Sequence, residues 1–499
     1  MIRDISQINR HKFDILVVGG GINGAAIAYL AADNGLSVAL IEKGDFASGT
    51  SSKSSKLVHG GIRYLENLEF DLVSEALKER YIQFKNAPYL VKPQSFIIPI
   101  YQKDPRPAWM INTGVFLYDS LAGGLKLGSR RAFTAQELIK EVPSLNPDGL
   151  KGGILYYDAQ MDDARLCLEN VLIACQKGAR VANYVEALSL VKENRKTVGV
   201  VAKDLLSGQV FEIRAKRVVC ALGPWTERLF KEDRVYSKHN VRTTKGIHLV
   251  YKGKISQHAV VIQTRNDRRI FFVIPWMGNT LIGTTDTDYS GSPDHVTCDK
   301  EDVSYLIQES RRMFPFANIE EKNIITTFAG LRPLVHADGQ PSKVSRKHEI
   351  ETVASGVTYV MGGKYTTYRK IAQDCLKKFI YLKSRPELEY PLYGSGTPLR
   401  TEGEIAAEFG VDEATVSYLF GKYGMKYLDV LELTREDNEL KEKICECSEV
   451  IGAQIKYSID VEMAQNTDDV MTRRLGLVYL ACSSNRCRTF IQNCFHNKK

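Results

Sequence analysis

No run of about 18 uncharged apolar residues occurs in the 499-residue chain, so a bilayer-crossing helix is not expected. The nearest approach, Ala108 to Leu127, is broken by Asp119, Gly123, Gly124 and Lys126. The first residues, Met1 to Lys12, include Asp4 and lack the apolar core of a secretory signal. The expectation is a cytoplasmic protein with reduced thiols, in which ten cysteines do not argue for a disulfide framework. Short internal repeats and low-complexity tracts are also missing, which excludes a repeat architecture. Apolar and charged residues, 44% and 25%, are present in ordinary amounts, with ample core for more than one domain. The net charge of +8 suits an anionic substrate or weak attraction to an anionic membrane surface, and no nucleic-acid partner is expected.

What is present begins with Gly19-Gly20-Gly21-Ile22-Asn23-Gly24, which follows the apolar run Phe13 to Val18. Glu42 ends a second apolar run, Ser37 to Ile41. The order is strand, glycine turn, helix, strand, acid, as in a dinucleotide-binding βαβ unit. Gly19 permits the tight turn, Gly21 lets backbone approach a pyrophosphate, and Gly24 lets helix and strand pack closely. The helix N-terminus, with Ile22 and Asn23, faces the phosphates. Glu42 is suited to accept hydrogen bonds from ribose hydroxyls. An acid there disfavours a 2′-phosphate, so FAD or NAD fits better than NADP.

Further on, residues 68–86 have helical periodicity and 94–101 read as a strand. Leu166 to Gln176 reads as a helix, and 184–203 as a hairpin with a polar tip at Glu193-Asn194-Arg195. Val218 to Leu222 is a buried strand ending at Gly223, and residues 245–285 alternate strand and turn. A late strand, 357–363, ends in Gly362-Gly363 and opens a helix from Thr366 to Tyr381. A Pro/Gly-rich stretch, Pro386 to Pro398, reads as a linker, followed by helices Glu402–Phe409, Asp412–Tyr423 and Glu436–Lys443. The expected class is α/β. A discontinuous Rossmann-like domain over 1–390 carries interleaved β-rich substrate segments, roughly 80–160 and 235–345. A helical cap spans 391–499.

Several motifs stand in a specific order: the glycine turn, Thr50-Ser51-Ser52-Lys53-Ser54-Ser55 with His59-Gly60-Gly61-Ile62-Arg63-Tyr64, Gly283-Thr284-Thr285-Asp286, Gly330-Leu331-Arg332-Pro333-Leu334, and Gly362-Gly363-Lys364-Tyr365-Thr366. Together they resemble the FAD-dependent, quinone-linked glycerol-3-phosphate dehydrogenases of the D-amino-acid-oxidase-like superfamily, closely over roughly 10–385. The resemblance implies a glutathione-reductase-type FAD domain. It implies oxidation of sn-glycerol 3-phosphate to dihydroxyacetone phosphate, with hydride passing from C2 to flavin N5. Oxygen-using glycerol-3-phosphate oxidases and amine or amino-acid oxidases of the same fold are the alternatives.

The cofactor set this implies is Gly19, Gly21, Ile22, Asn23, Gly24, Glu42, Lys43, Thr50, Ser51, Ser52, Ser55, His59, Gly60, Gly61, Val185, Gly223, Trp225, Gly363, Lys364 and Thr366. A phosphate clamp is expected from Arg332 first, then Arg63 and Lys364, because guanidinium forks match phosphate oxygens. His59 and His248 are both candidate bases, since histidine titrates near working pH. Tyr64, Thr285 and Asp286 are further substrate contacts.

The tail holds Cys445-x-Cys447, then 34 residues, then Cys482-x4-Cys487. Four thiolates in two pairs suit a 2Fe–2S cluster or zinc. The spacing resembles the iron–sulfur tail of the anaerobic type of the same dehydrogenase. The glycines that surround the last pair in that type are missing, which suits a clusterless remnant. Asp460 to Arg474 reads as helical. Quinone, a peripheral membrane surface and a homodimer are the partners the resemblance implies.

Overall fold

Lys12–Val18, Ile22–Asp33 and Val38–Ile41 form the amino-terminal strand–helix–strand unit of the computed structural model. The structure describes residues 1–233, 241–264, 269–335, 347–383, 386, 389–482 and 485–496. The two strands pair in parallel, Ile15 opposite Val38 and Val18 opposite Ile41. The helix is apolar on nearly every side and rich in alanine. It is therefore buried between the sheet and the helices Asp163–Gln176 and Tyr368–Leu376.

This unit sits inside an eight-stranded sheet. The main path runs His348–Thr352, Thr358–Gly362, Val210–Cys220, Lys12–Val18, Val38–Ile41, Arg180–Ala182. Val210–Cys220 pairs in parallel with Lys12–Val18 on one side and with Thr358–Gly362 on the other. The nucleotide-fold sheet is thus assembled from three distant stretches of chain. The hairpin Val185–Glu193 and Lys196–Asp204 extends it antiparallel.

The intervening chain builds a ten-stranded sheet. Its long members are Val91–Tyr101, Leu150–Met161, Val241–Tyr251 and Ile324–Val335. Val241–Tyr251 and Ile324–Val335 pair antiparallel with Thr244 opposite Arg332 and His248 opposite Phe328. Parts of the expected second β-rich segment, 235–240, 265–268 and 336–345, lie outside the described residues.

The tail is helical, with Glu402–Phe409, Glu413–Tyr423, Tyr427–Glu436, Gly452–Asp460 and Arg486–His496. Thr401 and Glu404 cap the first of these reciprocally, and Gly410 ends it in the left-handed region. Three expectations need correction. The helix placed at Glu436–Lys443 instead occupies Tyr427–Glu436, where Tyr427, Val430, Leu431 and Thr434 face the core; only a single tight turn follows at Asn438–Lys441. The helix from Thr366 begins at Tyr368 and ends at Leu376. Asp460 to Arg474 is not one helix, because Met463 takes a positive φ of 60° and a wide turn forms only at Asp469–Arg474. The stretch read as a linker is pinned where it is described. Gly394 N–H donates to Glu169 at 2.8 Å, and Leu392 is buried. Residues 387 and 388 of that stretch lie outside the described residues.

Among the described residues, no helix is long and apolar enough to cross a membrane. Ala108–Ala122 is a 15-residue helix with Trp109, Met110, Phe116 and Leu117 exposed.

Candidate active site

A single cavity of about 1810 Å³ runs from the glycine turn, past the hydroxyl-rich run at 50–55, to the second sheet. Its first wall is the carboxyl ends of the parallel strands, where open α/β sheets place ligands.

At the nucleotide end, Gly19 has φ of 111°, a conformation side chains disfavour. A Cβ on Gly24 would lie 1.9 Å from Gly19 O, so this glycine serves packing and does not line the cavity. Glu42 accepts Gly20 N–H at 2.6 Å and Gly44 N–H at 2.8 Å. Burial raises its pKa above the ordinary value while those two amides oppose the rise. Ser51 Oγ accepts Ile22 N–H at 2.9 Å, tying the serine run to the start of the helix. Asn23 Oδ1 is buried on the cavity wall with no hydrogen-bond partner among the described residues. Val185 is buried and gives its N–H to Glu42 O at 2.8 Å. Lys43 Nζ and Trp225 Nε1 both donate to Asp294 Oδ1, at 2.8 and 2.9 Å. Gly223 lines the same region.

In the middle, Thr50 Oγ1 donates to Leu331 O at 2.7 Å. Ser52 and Gly60 are buried and do not line the cavity. Gly60 packs against Tyr118, whose hydroxyl would sit 2.5 Å from an added Cβ. Gly61, Gly363 and Thr366 do line it. Thr366 Oγ1 accepts His59 N–H and donates to His59 O, each at 3.2 Å. The early and late loops are joined at that point.

At the far end, Arg332 donates to Asp286 at 3.0 Å, Thr284 Oγ1 at 2.8 Å and Thr285 O at 3.2 Å. Gly246 lies beneath it; a Cβ there would be 2.3 Å from Nη2. His248, two residues along the same strand face, stacks on Phe328 with ring centroids 4.8 Å apart. His248 Nε2 and Ser55 Oγ are 2.8 Å apart. Burial first, then the charges of Arg332 and Lys56, hold His248 well below its ordinary pKa. His59 is brought down to about 4 by burial and by Lys364, Arg63 and Arg80, against the pull of Asp158. Both rings are therefore neutral at neutral pH and able to accept a proton. Lys364 Nζ sits 3.7 Å above the Tyr64 ring, and exposed Arg63 also lines the cavity.

Thr285 is turned away from the cavity. Its hydroxyl accepts Ile247 N–H at 3.2 Å, and its neighbour Thr284 takes the cavity side. Sequence reasoning gave no role to Thr284 or Asp294, nor to Gly20 alone. Gly20 carried a local signal, since it stands inside the glycine turn; an added Cβ there would meet Phe46 and Glu42 at 2.7 and 2.8 Å.

The family described as FAD dependent oxidoreductase matches residues 14–369. The chain belongs to that family. Residues 388–489 match the family described as the C-terminal domain of alpha-glycerophosphate oxidase. An aerobic glycerol-3-phosphate dehydrogenase of Bacillus subtilis is 36% identical over 503 residues, covering 96% of this chain and 89% of the relative. One from Staphylococcus aureus is 34% identical over 500 residues, covering 95% and 88%. The chain is thus an enzyme of the glycerol-3-phosphate dehydrogenase branch. Among solved structures, the Bacillus halodurans glycerol-3-phosphate dehydrogenase complexed with FAD superposes with a TM-score of 0.79 at 30% identity, covering 99% of this chain and 96% of that one. The L-alpha-glycerophosphate oxidase of Mycoplasma pneumoniae shares the fold, with a TM-score of 0.58 at 18% identity, covering 78% and 97%.

In the tail, Cys445, Cys447, Cys482 and Cys487 come together, all four Sγ atoms lying within 4.8 Å of one another. The 2Fe–2S expectation is not supported: neither matching family is described as an iron–sulfur protein.

Proposed function

We propose that this enzyme binds FAD and oxidises sn-glycerol 3-phosphate to dihydroxyacetone phosphate. One observation carries the reading: a single continuous cavity is lined by the glycine turn at one part and by Arg332, Arg63, Lys364 and two neutral histidines at others. The names of the relatives support the substrate.

The cradle suits FAD. Gly21 leaves the turn open, Glu42 faces the cavity, and Asn23 presents an unsatisfied oxygen at the start of the helix. Ser51, Thr50, Gly61, Gly363 and Thr366 continue the same wall. Bound flavin supplies the two-electron acceptor for the hydride of C2. Arg332 is held in place by Asp286 and Thr284 before substrate arrives, so little ordering is left to do on binding. Arg63 and Lys364 add charge against the dianionic phosphate. His248 takes the proton of the C2 hydroxyl. Ser55 Oγ stands 2.8 Å from its Nε2, so a hydroxyl is at hand to stabilise the charged ring. His59 lines the same cavity, close to the charges of Lys364 and Arg63.

Electrons then pass to a quinone at a membrane surface that the protein meets peripherally. The helix Ala108–Ala122 supports this reading. Trp109 and Phe116 are 70% and 51% exposed, and Trp109, Met110 and Leu117 border the cavity. Lys103, Arg106, Lys126 and Arg130 flank that apolar face in sequence, a composition suited to an anionic lipid interface. In this scheme residues 1–390 hold cofactor and substrate, and 391–499 form a helical cap.

Anaerobic mixing with glycerol 3-phosphate tests the reaction. Loss of flavin absorbance near ~450 nm is expected. A flavin that stays oxidised with glycerol 3-phosphate but bleaches with an amine would replace this reading with an amine oxidase.

A further inference from the structure

The tail contains a constellation that the reaction does not use. Cys445 and Cys447 lie in the segment ahead of the helix Gly452–Asp460, and Cys487 lies in the first turn of Arg486–His496. Cys482 completes the group, and none of the four lines the cavity. Cys445 and Cys487 are buried, and Cys447 and Cys482 are half-buried. Around them pack Ile444, Val450, Ile455, Leu475 and Ile491. The sulfurs therefore converge at the centre of the tail's second apolar core.

Their spacing is informative. Cys447 and Cys487 Sγ are 3.7 Å apart, Cys482 and Cys487 3.9 Å, and Cys445 and Cys482 4.0 Å. Cys445 and Cys487 stand as a disulfide pair, closer than two ligands of one ion, so metal binding requires that pair to be reduced. Four thiolates around one tetrahedral ion at ~2.3 Å stand about 3.8 Å apart. The three separations bracket that value. A two-iron cluster divides its thiolates between two metals bridged by sulfide, which moves the pairs apart. A group confined within 4.8 Å has no room for that second metal.

We propose that Cys445, Cys447, Cys482 and Cys487 bind a single tetrahedral metal ion, with zinc the ion that four thiolates favour. All four positions are filled by protein, so the ion has no open site for substrate and acts structurally. It clips the segment before Gly452–Asp460 to the last helix. Binding displaces the thiol protons, which leave to solvent, and no electron is transferred.

The test uses the full-length protein, purified under reducing conditions, with metal and acid-labile sulfide measured per chain. One zinc and no sulfide are expected. Titration with a mercurial should release that zinc, and Cys447→Ser should lose it. Exchange of the wild-type protein with cobalt(II) should give the intense visible bands of a tetrahedral cobalt–thiolate centre, a readout independent of whether the variant folds. Two irons with two sulfides per chain would overturn the one-ion site. So would a reduced, zinc-supplied protein that remains metal-free, or one in which Cys445 and Cys487 form a permanent disulfide.

Discussion

Arg474, far down the tail, donates to both carboxylate oxygens of Asp45, at 2.8 and 2.9 Å. Asp45 lies three residues after Glu42, the acid beside the glycine turn. Arg473 adds a third contact at 2.7 Å. Asp45 and Arg474 are both fully buried. The tail therefore holds the nucleotide-binding loop directly.

Asp45→Asn should destabilise the protein by about 3–5 kcal/mol, because it leaves buried guanidinium charge uncompensated. A lowered thermal midpoint, with weaker retention of FAD, is the measurement. An unchanged midpoint would remove the clamp from the account.

The same pair sets an acid limit. Burial alone would raise Asp45, but Arg474 and Arg473 outweigh it and hold the carboxyl at about 2, against an ordinary 3.8. A depressed acid contributes stability that is fully present above about pH 4 and is lost as pH falls through about 2. The histidines act in a neighbouring window. The unfolded chain takes up protons from pH 6.5 downward, whereas folded His59 resists until about 4, so stability also falls across that interval. In substrate-free protein, histidine NMR should find both His59 and His248 neutral at pH 6 (~0.5 below the ordinary value). A ring already charged there would contradict the burial argument.

Arg332→Ala should raise KM strongly and lower kcat/KM by at least about 30-fold, since a charged, preorganised contact worth ~2 kcal/mol or more is removed. Steady-state kinetics with glycerol 3-phosphate reads this. An unchanged KM takes Arg332 out of the clamp.

His248→Asn should lower kcat by about 10²- to 10⁴-fold with little change in KM, as for loss of a general base. His59→Asn should affect KM more than kcat. The reverse pattern would exchange the two roles.

Two glycines separate binding from folding. Gly21→Val should yield a folded but colourless protein, because the nearest atom to an added Cβ is only the Ser51 hydroxyl at 3.1 Å. Gly24→Val should fail to fold, because its Cβ would lie 1.9 Å from backbone oxygen. A yellow Gly21→Val protein would refute the pyrophosphate role.

The sequence made the amino-terminal unit legible because its signals are local: glycines at fixed spacing, two apolar strands and an acid within about 30 residues of one another. Arg332 was singled out through the family motif Gly330 to Leu334, and it lines the cavity. Thr284 was not, because Thr284 and Thr285 are adjacent hydroxyls and only the strand pairing decides which faces the cavity. Asp294 lay beyond reach for a different reason, since its partners Lys43 and Trp225 come from remote segments. The helix Tyr427–Glu436 was missed although its apolar face repeats at helical spacing, because the Glu436–Lys443 charge run drew the assignment downstream.

The position of Thr358–Gly362 beside Val210–Cys220 has a consequence for synthesis. A ribosome delivers the glycine turn first and the strand that completes its sheet last among the sheet's members. Until that late segment emerges, the nascent polypeptide has a half-built cradle with an exposed apolar edge. Cofactor uptake must therefore wait until that late segment has emerged, and premature termination anywhere before it should yield an aggregation-prone fragment unable to take up its prosthetic group.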